Sequence, residues 1–229
     1  MRLILIRHGD PNYEKDCLTE KGKREAALLA ERTKGWQVDD VFVSPHGRAR
    51  ETAAPSLQNW KKNETILDWA REFVVDGHIV WDYLPAEWTQ DDANFCENQW
   101  IARPRTAFAQ EEYKKVCRKA DELLLSYGYE RQGRLYRVNA HSDKTAVIFC
   151  HFGVSMILLS HLLNLPAQAL LHGLFTAPTA ITVLNTEERG EGVAYFRAER
   201  IGDTAHLYRG GEPISPSGYF TEVMQEIQK

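Results

Sequence analysis

Four places in the sequence set a charged or imidazole side chain just beyond a short apolar run. Arg7-His8-Gly9 follows Leu3–Ile6, and Ser44, leading to Arg48, follows Val41-Phe42-Val43. Glu72 comes after the weaker run from Thr65 to Trp69, and His151 comes after Thr145–Cys150. Runs this short, β-branched and bounded by turns read as strands, the first and last buried on both faces as in a parallel sheet. Ligands of open α/β sheets sit beyond the carboxyl ends of the strands. If the four strands are parallel, two imidazoles, two guanidiniums and one carboxyl face a single crevice, a set suited to phosphoryl transfer. A lone histidine beside a strand is ordinarily a structural group and a lone arginine a solvated charge. The weight therefore rests on the convergence.

The elements that must position these groups follow from local pattern. Thr19 reads as a helix N-cap with Glu20 in the first turn, where the helix dipole favours a carboxylate. Ala26, Leu29, Ala30 and Thr33 recur at helical spacing, and Gly35 is the stop. A second helix starts at about Arg48, and Pro55 should kink or shorten it by removing a donor. Val154 to Leu163 reads as a core-facing helix. Ala180–Thr186 and Gly192–Glu199, around Arg189-Gly190-Glu191, read as an antiparallel hairpin. The alternation predicts an α/β fold, a three-layer α/β/α sandwich with a mostly parallel central sheet. The stretch 73–142 changes character: it is polar and Trp-rich (Trp81, Trp88, Trp100), with a helical pattern over 105–127 and a hairpin over 129–138 around Gln132-Gly133. It reads as an inserted cap or lid over one sheet edge, within a single domain spanning 1–229.

Composition narrows the function classes. The chain has 229 residues, 43% hydrophobic and 26% charged, with a formal net charge of −4, enough for one sizeable core and too apolar for disorder. The mild acidity gives no support for nucleic-acid binding, and no apolar stretch is long enough to span a bilayer. The amino terminus turns charged too soon for a signal peptide. Cys17, Cys96, Cys117 and Cys150 form no C-x-x-C pair and read as reduced thiols, so a cytoplasmic location is expected.

Leu3-Ile4-Leu5-Ile6-Arg7-His8-Gly9 resembles the signature of the histidine phosphatase superfamily, the phosphoglycerate mutase-like fold. Asp16-Cys17-Leu18-Thr19-Glu20-Lys21-Gly22 is similar to that family's Leu-Thr-x-x-Gly helix start, Ser44-Pro45-x-x-Arg48-Ala49-x-x-Thr52-Ala53 to its second arginine motif, and Val147–Gly153 to the strand carrying its second histidine. Four matches in order are specific, where Arg-His-Gly alone is weak. They run from residue 3 to about 165, and the 73–142 stretch has no usable match.

The resemblance implies that His8 attacks phosphorus and becomes a phosphohistidine, with Arg7, Arg48 and His151 holding the non-bridging oxygens. A neutral imidazole is required, and two neighbouring guanidiniums push its pKa the right way. Glu72 is the expected general acid and base. Its rival reading is an ion pair with Arg71, and Asp10, Glu14, Asp76 and Glu87 are lesser candidates. Gly9, Asn12 and the backbone of Phe152 are the expected substrate-binding positions. Phe152 stands where many relatives have glycine and Asp10 where Glu or Thr is common. His141, His161, His172 and His206 read as structural or exposed. No metal and no cofactor is expected, because flanking arginines would repel a cation. The partner is a small phosphorylated molecule, with specificity from the 73–142 stretch, from Tyr13, His46 and Phe152, and from Trp81, Trp88, Arg103, Arg131 and Arg134. The leading function is a metal-independent phosphomonoesterase. The alternatives are a cofactor-dependent mutase, disfavoured because Arg71-Glu72-Phe73-Val74-Val75 does not reproduce the mutase stretch after the acid, and a non-catalytic phospho-ligand binder.

Overall fold

A computed structural model of the chain describes residues 1–75, 78–79 and 107–218. In chain order the elements are β1 (Arg2–Arg7), β2 (Pro11–Asn12), β3 (Cys17–Leu18), α1 (Glu20–Thr33), β4 (Asp40–Val43), α2 (Gly47–Trp60), β5 (Thr65–Ile66) and a 3-10 turn (Asp68–Ala70). Then come β6 (Val74–Val75), β7 (His78–Ile79), α3 (Ala107–Ser126), β8 (Tyr129–Gln132), β9 (Leu135–Val138) and β10 (Thr145–Cys150). The chain continues through α4 (Phe152–Leu163), α5 (Ala167–Gly173), β11 (Ile181–Arg189), β12 (Val193–Asp203) and α6 (Ala205–Gly210).

Eight of the described strands form one sheet in the order β5-β4-β10-β1-β11-β12-β9-β8. The half containing β5, β4, β10 and β1 is parallel, and the pairs from β1 to β8 are antiparallel. Only β11 and β9 therefore oppose the common direction, and the fold is the expected α/β sandwich with a mostly parallel mixed sheet.

The layering is written in β1. Successive side chains alternate faces, so Leu3 and Leu5 enter one core while Ile4 and Ile6 enter the other. The Ile4 side packs Leu29 of α1 with Ala49 and Ala53 of α2. The Leu5 side packs Val116 and Leu124 of α3 with Val154, Met156 and Leu158 of α4. A helix as apolar as α4 has no face suited to water, and ten of its twelve residues are buried, which makes it the inner helix of its layer.

Two expectations change. The second helix is not shortened at Pro55 but runs on to Trp60, because the missing donor would have served only Glu51, an exposed residue. The 73–142 stretch is not a separate cap where it is described. Val116, Ala120 and Leu124 form an apolar i, i+4, i+8 stripe that needs a partner, and α3 buries them in the main core. The hairpin β8–β9 extends the central sheet through β12, with Ala194 opposite Tyr136 and both Tyr129 and Tyr136 buried. Arg131 reaches the Tyr136 hydroxyl, the His161 carbonyl and Asn164, so it braces this edge. Trp81, Trp88, Trp100, Arg103, Asp76, Glu87 and Cys96 lie outside the described residues. Cys17, Cys117 and Cys150 are free thiols. No helix among the described residues is long and apolar enough to cross a membrane.

Candidate active site

Strand register builds the site. Parallel pairing sets Arg7 of β1 opposite Cys150 of β10, so the next residues, His8 and His151, leave adjacent strands side by side with ring centroids 5.0 Å apart. One strand further out, the Ser44 N–H bonds the Phe149 carbonyl at 2.9 Å. That places the Ser44 hydroxyl 2.7 Å from His151 Nε2. Arg48 sits in the first turn of α2. Glu72 arrives from the 3-10 turn, where its Oε1 accepts the N–H groups of Phe73 and of Gly153 in the first turn of α4, at 2.8 and 2.9 Å. All five expected catalytic side chains are thus gathered at the carboxyl end of the parallel half.

His8 is held rigidly. Its N–H bonds the Cys150 carbonyl, and its carbonyl accepts from Thr179. Ring atom Nδ1 lies 2.7 Å from the Gly9 carbonyl. A carbonyl only accepts, so the proton is assigned to Nδ1 and the lone pair to Nε2. Nε2 is buried with no protein partner. Burial, then the charge of Arg7, hold the ring's pKa well below 6.5 against the opposing pull of the Gly9 bond, with smaller pushes from Arg48 and His46. The outcome is a neutral imidazole presenting a free nitrogen. His151 is likewise buried and kept neutral by burial and by the charged neighbours around it.

The two arginines are anchored from behind. Arg7 gives Nη1 to the Thr176 carbonyl at 2.6 Å and Nη2 to the Ser217 carbonyl at 2.9 Å. Its guanidinium lies 5.7 and 5.8 Å from the ring centres of Phe152 and Phe175. Arg48 gives Nη1 to Asp16 Oδ1 at 2.5 Å and faces the Tyr13 ring at 5.4 Å. In both residues Nε is buried without a protein partner. Tyr13 is exposed and turns its ring edge-on to His8 at 6.4 Å, and His46 stands edge-on to His151 at 5.1 Å.

Glu72 is a carboxyl in a conflicted place. Burial raises its pKa above 4.5, while the two N–H bonds and the charges of Arg7 and Arg48 pull it back. Burial wins, which favours a carboxyl able to carry a proton. Its rival partner is otherwise engaged, since Arg71 approaches Asp68 at 3.5 Å.

Other expected positions are used differently. The Gly9 N–H goes to the Thr52 hydroxyl at 2.9 Å and its carbonyl accepts from the His8 ring, so Gly9 orients the His8 imidazole and has no backbone donor left for a ligand. A side chain there would come within 2.9 Å of the Gly22 carbonyl, so close approach is what requires glycine. The Asn12 side-chain oxygen accepts from the Lys15 N–H at 3.1 Å, which fixes the side chain in the β2–β3 turn and leaves its amide N–H groups as the donors it can offer. Phe152 is buried against Arg7, and that contact accounts for a large side chain at this position. Asp10 braces the loop, accepting from the Thr19 and Ser215 hydroxyls while its N–H meets Glu25 at 2.7 Å. His141 bridges Glu188 and Asp143, His161 meets Asp121, and His206 meets Thr179. Sequence reasoning matched Thr52 within the second arginine motif and Asp16 ahead of the first helix without giving either a role, and it missed the carbonyls of Thr176 and Ser217. The roles of Asp16 and of the two carbonyls carry no local signal because each acts across 30 residues or more.

The mixed sheet, with His8 buried beside His151 at its carboxyl end, defines an α/β sandwich whose crevice gathers two imidazoles and two guanidiniums. The family model of the histidine phosphatase superfamily (branch 1) matches residues 3–198, and the chain belongs to that family. It is thus an enzyme of the phosphatase class. A probable phosphatase of Schizosaccharomyces pombe is 27% identical over 222 residues, covering 90% of this chain and 95% of the relative. Phosphoserine phosphatase of Entamoeba histolytica shares the fold with a TM-score of 0.63 at 20% identity, covering 90% of this chain and 98% of that one. The alpha-ribazole phosphatase of Shigella flexneri shares it at 0.59 and 21%, covering 89% and 97%.

Proposed function

We propose that the protein is a phosphomonoesterase that hydrolyses a small phosphorylated metabolite through a phosphohistidine on His8. One observation carries this reading. Arg7 Nε, His8 Nε2, Arg48 Nε and His151 Nδ1 are all buried without a protein hydrogen-bond partner, and they belong to side chains that are mutual neighbours. Buried polar atoms are ordinarily satisfied. A tetrahedral phosphoryl group would supply oxygens to the donors and phosphorus to the one free lone pair.

The reaction follows from the residues. The Nε2 lone pair attacks phosphorus, the ester P–O bond breaks, and the departing alkoxide takes the Glu72 proton. The Nδ1–H bond to the Gly9 carbonyl supports the positive charge that develops on the ring. Arg7, Arg48 and the second imidazole are fixed donors around the oxygens, the arrangement that contributes most where charge builds up in a transition state. In the second half, the Glu72 carboxylate takes a proton from water, the water oxygen bonds phosphorus, and the P–N bond breaks. Inorganic phosphate leaves, with His8 neutral and Glu72 protonated again. No step requires a metal or an organic cofactor. The phosphatases of similar fold support a hydroxyl-bearing metabolite as the alcohol half.

The test is phosphate release across a panel of phosphorylated metabolites, with rapid-quench trapping of radiolabelled phosphate on the protein. Wild type should release phosphate and label at one histidine, and His8→Ala should do neither. Isomerisation of 3-phosphoglycerate without phosphate release would overturn the hydrolytic reading, and phosphate binding without labelling would make the protein a binder.

A further inference from the structure

Asp16 lies outside the cage, yet its carboxylate organises one side of it. Its Oδ1 takes Nη1 of Arg48 at 2.5 Å. Its Oδ2 takes the Gly47 N–H at 2.8 Å and lies 3.2 Å from His46 Nδ1. One acceptor thus ties the first turn of α2, a catalytic guanidinium and the imidazole that leans on His151.

The local geometry is built around this contact. Asp16 adopts a left-handed backbone, φ 47°, a conformation that aspartate tolerates better than most residues. A side chain on Gly47 would come within 2.2 Å of the Asp16 carbonyl, so glycine at 47 is what lets the β2–β3 turn press against the helix start. Arg48 is 7% exposed, and Asp16 supplies its only side-chain ion pair among the described residues. With Nη1 fixed, rotation about the guanidinium is blocked and Nε, which has no protein partner, keeps one direction.

We propose that Asp16 is a positioning residue of the catalytic site. Through Arg48 and His46 it fixes the donors on one side of the transferring phosphoryl group and does not itself touch substrate. The proposal rests on the phosphatase reading above. It goes beyond it in making the loop before α1 part of the catalytic geometry.

A double-substitution cycle tests it. Catalytic efficiency on p-nitrophenyl phosphate and inhibition by orthovanadate are measured for wild type, Asp16→Ala, Arg48→Ala and the pair, with thermal melts as a fold control. Misplacing a catalytic group by about 1 Å costs on the order of 10²-fold. Asp16→Ala should therefore lower kcat/KM and vanadate affinity together by about that factor. In the Arg48→Ala background the same change should cost less than about tenfold, because the guanidinium it positions is gone and only the route through His46 remains. Losses that multiply in full would overturn the proposal. Asp16→Asn keeps an acceptor for the Gly47 N–H and removes the charge. It carries the test if the alanine variant fails to fold: a coupled loss supports the proposal, and wild-type activity refutes it. A His8→Ala control that retains turnover would sink the His8 phosphohistidine reading on which the proposal rests and is distinguishable from either result.

Discussion

Glu25 is a carboxyl sealed inside the protein, and its protonation ties fold stability to pH. It lies on α1 with its side chain fully buried, accepts the Asp10 N–H at 2.7 Å and approaches Lys21 Nζ at 3.5 Å. Burial lifts its pKa from 4.5 to about 7, against the smaller opposing pulls of the Asp10 N–H and Lys21. The folded-state value is the higher one, so the folded protein holds a proton that the unfolded chain gives up. The stabilisation is complete below about 4.5 and is lost as pH rises through about 7. Between about pH 5 and about pH 8 the loss comes to about 2–3 kcal/mol, from the linkage relation applied to those two values. For a protein of this size that is roughly 5–10 °C in Tm. Glu25→Gln keeps an acceptor for Asp10 and removes the titration. Its amide beside Lys21 adds an offset that is the same at both pH values. Thermal unfolding of the two proteins at both pH values isolates the effect. The wild type should lose about that much relative to the variant on going to the higher pH. A gap independent of pH would refute the assignment of a raised Glu25 pKa.

Glu72→Gln should slow alkyl phosphates by about 10²-fold or more and p-nitrophenyl phosphate far less, since nitrophenolate leaves without a proton; equal losses would remove Glu72 as the acid. Because the Glu72 pKa is raised by burial, the proton it must donate is lost as pH rises through that raised value, and the pH dependence of alkyl ester hydrolysis should show a basic limb that Glu72→Gln abolishes. Long-range proton–nitrogen NMR should find His8 neutral with hydrogen on Nδ1 and unprotonated at 6.5, the ordinary histidine value; a protonation midpoint at or above that value would contradict the site electrostatics. Gly22→Ala would drive a methyl to within 2.2 Å of the Asp10 carbonyl, and overpacking of this kind costs about 1–3 kcal/mol; denaturant unfolding should register that destabilisation, and an unchanged midpoint would mean the α1–loop contact gives way freely.

The alternation of short apolar runs with helical stretches was enough to read the sandwich, because burying β1 on both faces leaves only a layered solution. The chemistry-bearing residues were legible for a related reason. A side chain placed just after a buried strand has nowhere to point but the crevice at the sheet's carboxyl edge, which is why position alone made His8, Arg48 and His151 candidates. Tertiary structure decided what such local reasoning cannot reach. The helix beginning at Ala107 and the hairpin after it belong to the main sandwich, since only contact with α4 and β12 shows where an apolar stripe finds its partner. The Gly9 N–H is spent on Thr52 and the Asn12 side-chain oxygen on Lys15, an economy visible only when those partners are in place. Asp16 reaches Arg48 across 32 residues, and Glu25 is driven toward a neutral pKa by burial. Residue type and spacing settle which groups can do chemistry. Which of them are free to do it depends on hydrogen bonds and dehydration between distant segments, and those exist only in the folded chain.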